Sequence, residues 1–401
     1  MSDALECHGS IKVCVFRPIT LNCRHLSDML GFHRIALLPG DGIGPEVVAE
    51  AVKVLRLVES ASGVTFRLQT GLIGGSAIDA TASPLPAETV ALCNNAEAIL
   101  LGAVGGPKWD SHRSDVRPEQ GLLQIRKRLG LYVNLRPVKV LDSLIHYSAI
   151  KPALVKGTDM IIVRELLGGI YFGNPRGIFA KNGERVGINT EVYREHEVER
   201  IAHRAFQLAR TRRQRVTSVD KANVLESSRL WREVVTRIGR SYPDVELSHL
   251  YVDNCAMQLI ERPTRFDVIV TSNLFGDILS DEAAMVAGSI GFLPSASLGE
   301  HTALYEPIHG SAPDIAGRNK ANPVAAILSA AMMLRYSFHM DTAADAVETA
   351  VEKVMRRGVR TAEIPGRGRA VSTSRIGDLI AQQTEKLLKS TNRTKDKKKK
   401  K

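Results

Sequence analysis

Between residues 32 and 357, short apolar runs alternate with longer segments in which apolar residues recur at helical spacing. This alternation points to an α/β protein. "FHRIALLP" (32–39), "VTFRLQ" (64–69) and "AEAILLGAV" (96–104) read as strands, as do "LYVNLRPVKV", "TDMIIVREL", "RVTSVDKA" and "FDVIVTSN". Helical spacing marks "PEVVAEAVKVLRLVES" (45–60), "EQGLLQIRKRLG" (119–130), "EHEVERIAHRAFQLARTRR", "SSRLWREVVTRIGR" and two long segments at 322–338 and 342–357. A Gly-rich stretch from 168 to 190 lacks helical periodicity and reads as an irregular arm or hairpin. No repeat of fixed period is present.

With 401 residues the chain suffices for one large or two medium domains. No apolar run is long enough to span a bilayer, so no membrane partner is expected. The formal charge is +11, but +7 of it lies in residues 389–401, which leaves about +4 for the rest. That balance makes nucleic acid an unlikely partner. The segment "RTKDKKKKK" has nothing to bury, and 389–401 is expected to be a disordered basic tail. Five cysteines without CxxC spacing form no disulfide framework and fit a reducing compartment, so the expected location is the cytoplasm, with organellar import left open. Residues 1–31 carry three acids and three Lys/Arg and no continuous apolar core, a poor secretory signal. Residues 1–28, before Met29, are expected to be a dispensable extension.

"LPGDGIGPE" supplies Gly40, Gly42 and Gly44 as G-x-G-x-G, without the third glycine of the dinucleotide fingerprint. These glycines read as a tight strand-to-helix turn. In "NLFGDILSDEAAM", Asp277 and Asp281 stand four residues apart, where two carboxylates share a helix face and repel. Either Asp277 favours a helix N-terminus and Asp281 is solvated, or a hard cation sits between them. Arg136 and Arg164 each end a strand-like run, and a guanidinium there needs a partner; with Arg126 they predict an anionic substrate carrying more than one carboxylate. Lys221 follows a buried-looking strand and is either a surface lysine or a base. Tyr171 is either a general acid or a core aromatic, and Asp253 begins a helix as a cap or a ligand. "EPIHGSAPDIAGRNKANP" (306–323), rich in Gly, Pro and small residues, offers backbone N–H groups to phosphates, with Asp314 suited to a ribose diol.

"LPGDGIGPEV", "GAVGGPKWD", "GLLQIRKRLGLYVNLRP", "VRELLGGIYFG", "VDKANVLE", "FGDILSDEAAM", "GFLPSASLG" and "HGSAPDIAG" resemble, in order and spacing, the motifs of the isocitrate/isopropylmalate β-decarboxylating dehydrogenase family. The likeness runs from about residue 32 to about residue 385. It implies a two-domain isopropylmalate dehydrogenase-like fold that is not Rossmann. The expected divisions are 32–131 plus 288–388 as a large cofactor-side domain and 132–287 as a small dimerisation and substrate domain.

The resemblance also implies a homodimer with shared active sites. Arg126, Arg136 and Arg164 would hold the malate carboxylates. Mg²⁺ or Mn²⁺ would be bound by Asp277, Asp281 and a partner-derived Asp253. Lys221, also from the partner, would take the hydroxyl proton, and Tyr171 would protonate the product enol. NAD would be held around Gly105, Gly106, Glu306, His309, Gly310, Ser311, Ala312, Asp314, Ile315 and Asn322. Leu122 and Leu123, preceded by Glu119, share the helical face of Arg126 and match the family's isopropyl pocket. The expected reaction is NAD-dependent oxidative decarboxylation of an alkylmalate, with a D-malate/tartrate-type member as the alternative. Arg318, Asn319 and Lys320 depart from the small or apolar residues usual in the cofactor loop.

Overall fold

The structure, a computed structural model, describes residues 31–399 except 114, 141, 143, 144, 146, 147 and 365–369. The extension expected at residues 1–28 lies outside the described residues.

The chain enters β1 (Phe32–Gly40), turns into α1 (Gly44–Ser62) and lays β2 (Thr65–Thr70) parallel to β1. Helices α2 (Gly75–Thr81) and α3 (Ala87–Asn95) lead to β3 (Ala98–Ala103), and α4 (Pro118–Arg128) leads to β4 (Val133–Lys139). A single turn, α5 (Pro152–Val155), precedes β5 (Asp159–Glu165). The hairpin of β6 (Gly177–Lys181) and β7 (Glu184–Ile188) forms its own two-stranded sheet. Then come α6 (Glu195–Arg210), β8 (Arg215–Asp220), α7 (Glu226–Gly239), β9 (Glu246–Tyr251), α8 (Val252–Glu261) and β10 (Val268–Thr271). The chain closes with α9 (Asn273–Ala287), β11 (Pro294–Leu298), β12 (Ala303–Pro307), α10 (Val324–Tyr336), α11 (Asp341–Met355) and α12 (Thr373–Lys399).

Ten strands form one sheet in the order β2-β1-β3-β12-β11-β4-β5-β10-β8-β9. Both wings are parallel, as strand–helix–strand crossovers require. The centre is antiparallel: β11 pairs with β12 and with β4, and β4 pairs with β5. This order is not the 3-2-1-4-5-6 of the Rossmann fold, as the incomplete glycine fingerprint suggested. The central strands are buried on both faces, which explains why they carry apolar runs and not alternation.

The turn after β1 is built by close backbone approach. Gly40 and Gly42 have φ of +71° and +57°, and a Cβ on Gly42 would lie 2.0 Å from the Ser311 carbonyl oxygen. Gly44, at normal φ, would bring a Cβ to 2.1 Å from the Pro39 carbonyl oxygen. Asp41 is buried and accepts from the backbone N–H groups of Gly75, Ser76 and Gly105 at 2.7–2.8 Å. One carboxylate thus ties the turn to two further loops.

The basic segment from 389 to 399 differs from expectation: it continues α12, where the sequence suggested no regular structure. Ile376, Ile380 and Leu388 dock the helix into the core, and Lys53 on α1 bonds Asp378 at 2.6 Å. Once docked, extending a helix by good helix formers such as lysine costs little, because nucleation is already achieved. The Gly44→Ala variant is expected to lose roughly 1–3 kcal/mol of stability in urea denaturation, since its Cβ meets backbone that cannot yield; an unchanged midpoint would contradict the close approach.

Candidate active site

The antiparallel centre of the sheet brings the three predicted arginines together. Arg136 comes from β4 and Arg164 from the adjacent β5, while Arg126 lies in the last turn of α4, which leads into β4. They line a cavity of about 670 Å³ together with Glu119, Leu122, Leu123, Tyr171, Asp277, Glu306, His309 and Gly310. Arg126, readable alone as a surface charge, is buried, and its Nη2 bonds Glu306 Oε1 at 2.6 Å.

Burial disfavours the charged form of each arginine, and the group answers with counter-charges. Arg164 Nη1 donates to Asp277 Oδ1 at 2.5 Å, and Arg136 Nη2 stands 3.5 Å from the same oxygen. Arg136 Nη1 also reaches Asp281 Oδ1 at 3.3 Å. Burial and the repulsion of Arg136 bring Arg164 down to about 10, still charged at neutral pH. Burial also lowers Arg136, with Asp277 opposing. For Asp277, burial pushes upward, but Arg164 and Arg136 outweigh it and hold the carboxyl below the ordinary aspartate range. For Asp281 burial wins and the carboxyl is raised.

Asp277 therefore does not cap α9. It is the fifth residue of that helix, and its ring of partners includes Tyr171, whose hydroxyl donates to Oδ2 at 2.8 Å. Burial and the neighbouring Asp277 push the Tyr171 hydroxyl up to about 12, so it keeps its proton. Arg164 lies 5.8 Å from the Tyr171 ring centroid, within cation–π reach.

Other predicted residues stand apart from this wall. Lys221, just after β8, pairs with Asp253 on α8 at 2.5 Å, and neither lines the cavity. Asp281 does not line it either. Among the described residues, no three His, Cys, Asp or Glu side chains of one chain gather as a metal site.

The loop after β12 leans on the glycine turn. Ile43 N donates to the Ser311 carbonyl at 2.8 Å, and the Glu46 carboxylate accepts from Gly317 N and Asn319 N. Gly105 borders Glu119: a Cβ on it would lie 2.7 Å from Glu119 Oε1. Gly106 follows as the residue that caps a short 3₁₀ turn. Asp314 is exposed, Ile315 packs against the core, Ala312 adopts φ +38° and Asn322 is buried. Two buried atoms have no partner: His309 Nε2 and Asn322 Nδ2.

Sequence reasoning missed Asn134, Asn273, Ser280 and Ser295, which hydrogen-bond within this arginine cluster. The only available signal was a polar side chain inside an otherwise apolar strand (Asn134) and at a helix start (Asn273).

A family profile described as isocitrate/isopropylmalate dehydrogenase matches residues 34–380. The chain is 60% identical to the 3-isopropylmalate dehydrogenase of Aquifex aeolicus over 356 residues, covering 88% of this chain and 98% of that one. It is 59% identical to the protein of that description from Geobacillus kaustophilus, over 88% of this chain and 95% of that one. Among solved structures it resembles an isocitrate dehydrogenase from Methylococcus capsulatus, with a TM-score of 0.79, 34% identity, and coverage of 88% and 99%. It also resembles a beta-decarboxylating dehydrogenase from Thermococcus kodakarensis, with a TM-score of 0.71, 36% identity, and coverage of 89% and 97%.

Because the folded Asp277 carboxyl is depressed, its stabilising pairing is complete above the unfolded value near 4 and is lost as pH falls through the lower folded value. The Asp277→Asn variant is expected to melt below the wild type at pH 7, with the gap shrinking as pH falls below about 4. Melting curves from pH 3 to 7 check this, and a gap independent of pH would contradict the assignment.

Proposed function

The chain belongs to the isocitrate/isopropylmalate dehydrogenase family, and from that premise we propose that it oxidatively decarboxylates (2R,3S)-3-isopropylmalate to 4-methyl-2-oxopentanoate and CO₂ in leucine biosynthesis, using NAD. The observation that carries this reading is the cavity wall, where the apolar pair Leu122 and Leu123 faces the same space as three guanidinium groups. An alkyl group beside two carboxylates satisfies both halves of that wall. The D-malate/tartrate-type alternative would leave the leucines without a partner, and relatives 54–60% identical are described as 3-isopropylmalate dehydrogenases.

In this reading Arg126, Arg136 and Arg164 bind and orient the substrate carboxylates, while Leu122 and Leu123 exclude water around the alkyl group. A divalent cation held by Asp277, Asp281 and Asp253 of the partner subunit would stabilise negative charge on the 2-oxygen. The donor set suits it: hard oxygen ligands, two of them one helical turn apart on α9. Lys221 of the partner subunit takes the hydroxyl proton as hydride leaves C2. Loss of CO₂ from C3 then leaves an enolate, and Tyr171, which keeps its proton to about pH 12, delivers a proton to C3.

For NAD, which accepts the hydride, the loop from His309 to Asn322 is the proposed seat. His309 Nδ1 bonds the Gly310 carbonyl at 3.0 Å as donor, leaving Nε2 as an unmatched acceptor, and Asn322 Nδ2, at the far end of the loop, is an unmatched donor. A dinucleotide carries both donors and acceptors that could meet such groups. Asp314 would take the ribose diol, with Gly105, Gly106, Glu306, Ser311, Ala312 and Ile315 flanking the dinucleotide.

A second copy of the chain is part of the proposal. Lys221 and Asp253 form an ion pair away from the cavity, while Met257, Ile260, Ile278 and Met285 on α8 and α9 are exposed. The hairpin exposes Ile178, Phe179 and Ile188 as well. Covering these groups in a homodimer would bring Lys221 and Asp253 to the other chain's carboxylates. Residues 32–131 with 288–388 would form one lobe and 132–287 the other. The proposed location is the cytoplasm. Among the described residues no helix is long and apolar enough to cross a membrane, and Cys93 and Cys255 are free, with burial pushing both thiols up to about 12.

Two experiments test these readings. NADH formation with Mg²⁺ from isopropylmalate, D-malate, tartrate, isocitrate and homoisocitrate, run in parallel, is expected to give isopropylmalate the highest kcat/KM; a better competitor would overturn the substrate. Lys221→Ala and Asp277→Asn homodimers are each expected to be nearly inactive. Unfolded together and refolded, they should recover about a quarter of wild-type activity, because half the dimers are mixed and each mixed dimer has one intact shared site. No recovery would place both residues in one chain's site.

A further inference from the structure

Arginines that receive an anion must be aimed, and here two of them are aimed by neutral amides. Asn134, buried on β4, accepts from Arg136 Nε at 2.9 Å. Asn273, the first residue of α9, accepts from Arg164 Nε at 3.0 Å and from its Nη2 at 2.8 Å.

Which end of each amide faces its arginine is fixed by the other end. Asn273 Nδ2 donates to the carbonyls of Leu166 at 3.0 Å and Gly168 at 3.1 Å, groups that can only accept. Asn134 Nδ2 donates to Ser295 Oγ at 2.7 Å and to the Ala296 carbonyl at 3.3 Å. Each Oδ1 is thereby turned to its guanidinium. The stem of Arg164 is held as firmly as its head. Gly276, one turn beyond Asn273, lies so close that a Cβ there would sit 2.6 Å from Arg164 Cγ.

An amide oxygen fixes the plane of a guanidinium yet carries no net charge, so it leaves the cation's field intact. A carboxylate oxygen in its place could accept the same N–H groups, though its second oxygen would have no proton for the carbonyls behind it. The carboxylate would also act as a built-in counter-ion and compete with the incoming anion. Asp277 already stands against both Arg136 and Arg164. Further carboxylates at positions 134 and 273 would cancel the positive field of the cavity.

We infer that Asn134 and Asn273 are positioning residues that aim Arg136 and Arg164 at the substrate's carboxylates while leaving their charge for the ligand. This rests on the reading of the cavity as the substrate site.

Asn134→Asp is the discriminating substitution. The hydroxyls of Ser295 and Ser297, 2.7 and 3.4 Å from Nδ2, can turn to donate to the new carboxylate. The Ala296 carbonyl, 3.3 Å away, loses its donor, so the variant is expected to melt about 2–4 °C below wild type and to stay folded. Its KM for isopropylmalate should rise about 10- to 100-fold, with the KM for NAD changed less than about twofold. Its calorimetric Kd for malonate, a dicarboxylate that needs no turnover, should rise in parallel. A folded Asn134→Asp enzyme with unchanged malonate affinity would overturn the inference. So would equal losses for substrate and NAD alongside a larger fall in Tm, the pattern of a merely structural role.

Asn273→Ala, which removes the aim on Arg164 without adding charge, supplies an independent arm. It is expected to weaken malonate binding about 3- to 10-fold, and unchanged affinity would remove Asn273 from the proposal. If the wild-type chain failed to oxidise isopropylmalate, the functional reading would fall, and the malonate titrations would still decide the positioning roles.

Discussion

Three guanidinium groups share one cavity wall, and each is less than a tenth exposed. Left to themselves, buried like charges would repel and force the wall apart. Glu306 meets Arg126, Asp277 stands between Arg136 and Arg164, and Asn134 and Asn273 take up N–H groups that carboxylates do not reach. Asp281 stands at the rim, 3.3 Å from Arg136, so the counter-charges hold the three cations together from one side of the wall. The guanidinium N–H groups that no protein acceptor takes are the ones left for an anionic ligand.

That wall depends on the antiparallel centre of the sheet. Because β4 and β5 run in opposite directions as neighbours, Arg136 lies opposite Ile162 and Arg164 opposite Asn134. Helix α9 crosses the same face with Asn273, Gly276, Asp277 and Ser280, all reaching or touching the two arginines. On the other side of the cavity, the glycine turn after β1 holds the loop after β12 through Ile43, Ser311 and Glu46. The two walls are thus supported by separate backbone devices.

How much of this was legible in the sequence depends on the range of the interactions involved. The tight turn at 40–44, the strand with Arg164 near its end, and the hairpin in 168–190 follow from local chemistry, and the structure shows them; Arg136, expected to end its strand, instead lies in the middle of β4, which antiparallel pairing with β5 carries on to Lys139. Strands β11 and β12 escaped notice, because "PSASL" and "ALYEP" are short and carry little β-branched signal; pairing with β3 and β4 makes them strands. The edge strand β9 is only half-buried and has no apolar run. The role of Asp277 could be framed but not resolved. Whether a carboxylate faces solvent or two arginines is set by residues more than a hundred positions away. Asn273 meets Arg164 across a similar span, and the partners that turn the Asn134 amide lie on β11, more than 160 positions on.

The separation of Lys221 and Asp253 from the cavity bears on why such an enzyme would share its site between chains. A lysine placed permanently on a wall of three arginines would lose its proton to repulsion before any substrate arrived, and a third acid beside Asp277 and Asp281 would face repulsion of its own. Within one chain the two opposite charges instead neutralise each other at 2.5 Å. Delivered together by a second chain, they would enter as a neutral pair; once Asp253 turned to a cation, Lys221 would lose its counter-ion beside the arginines and give up its proton, as a base must. In a shared site the ion pair would be a way of carrying both groups to a crowded electrostatic environment. It requires that α8 and the end of β8 be presented by an apolar face, and the exposed Val224, Met257 and Ile260 in that region supply one.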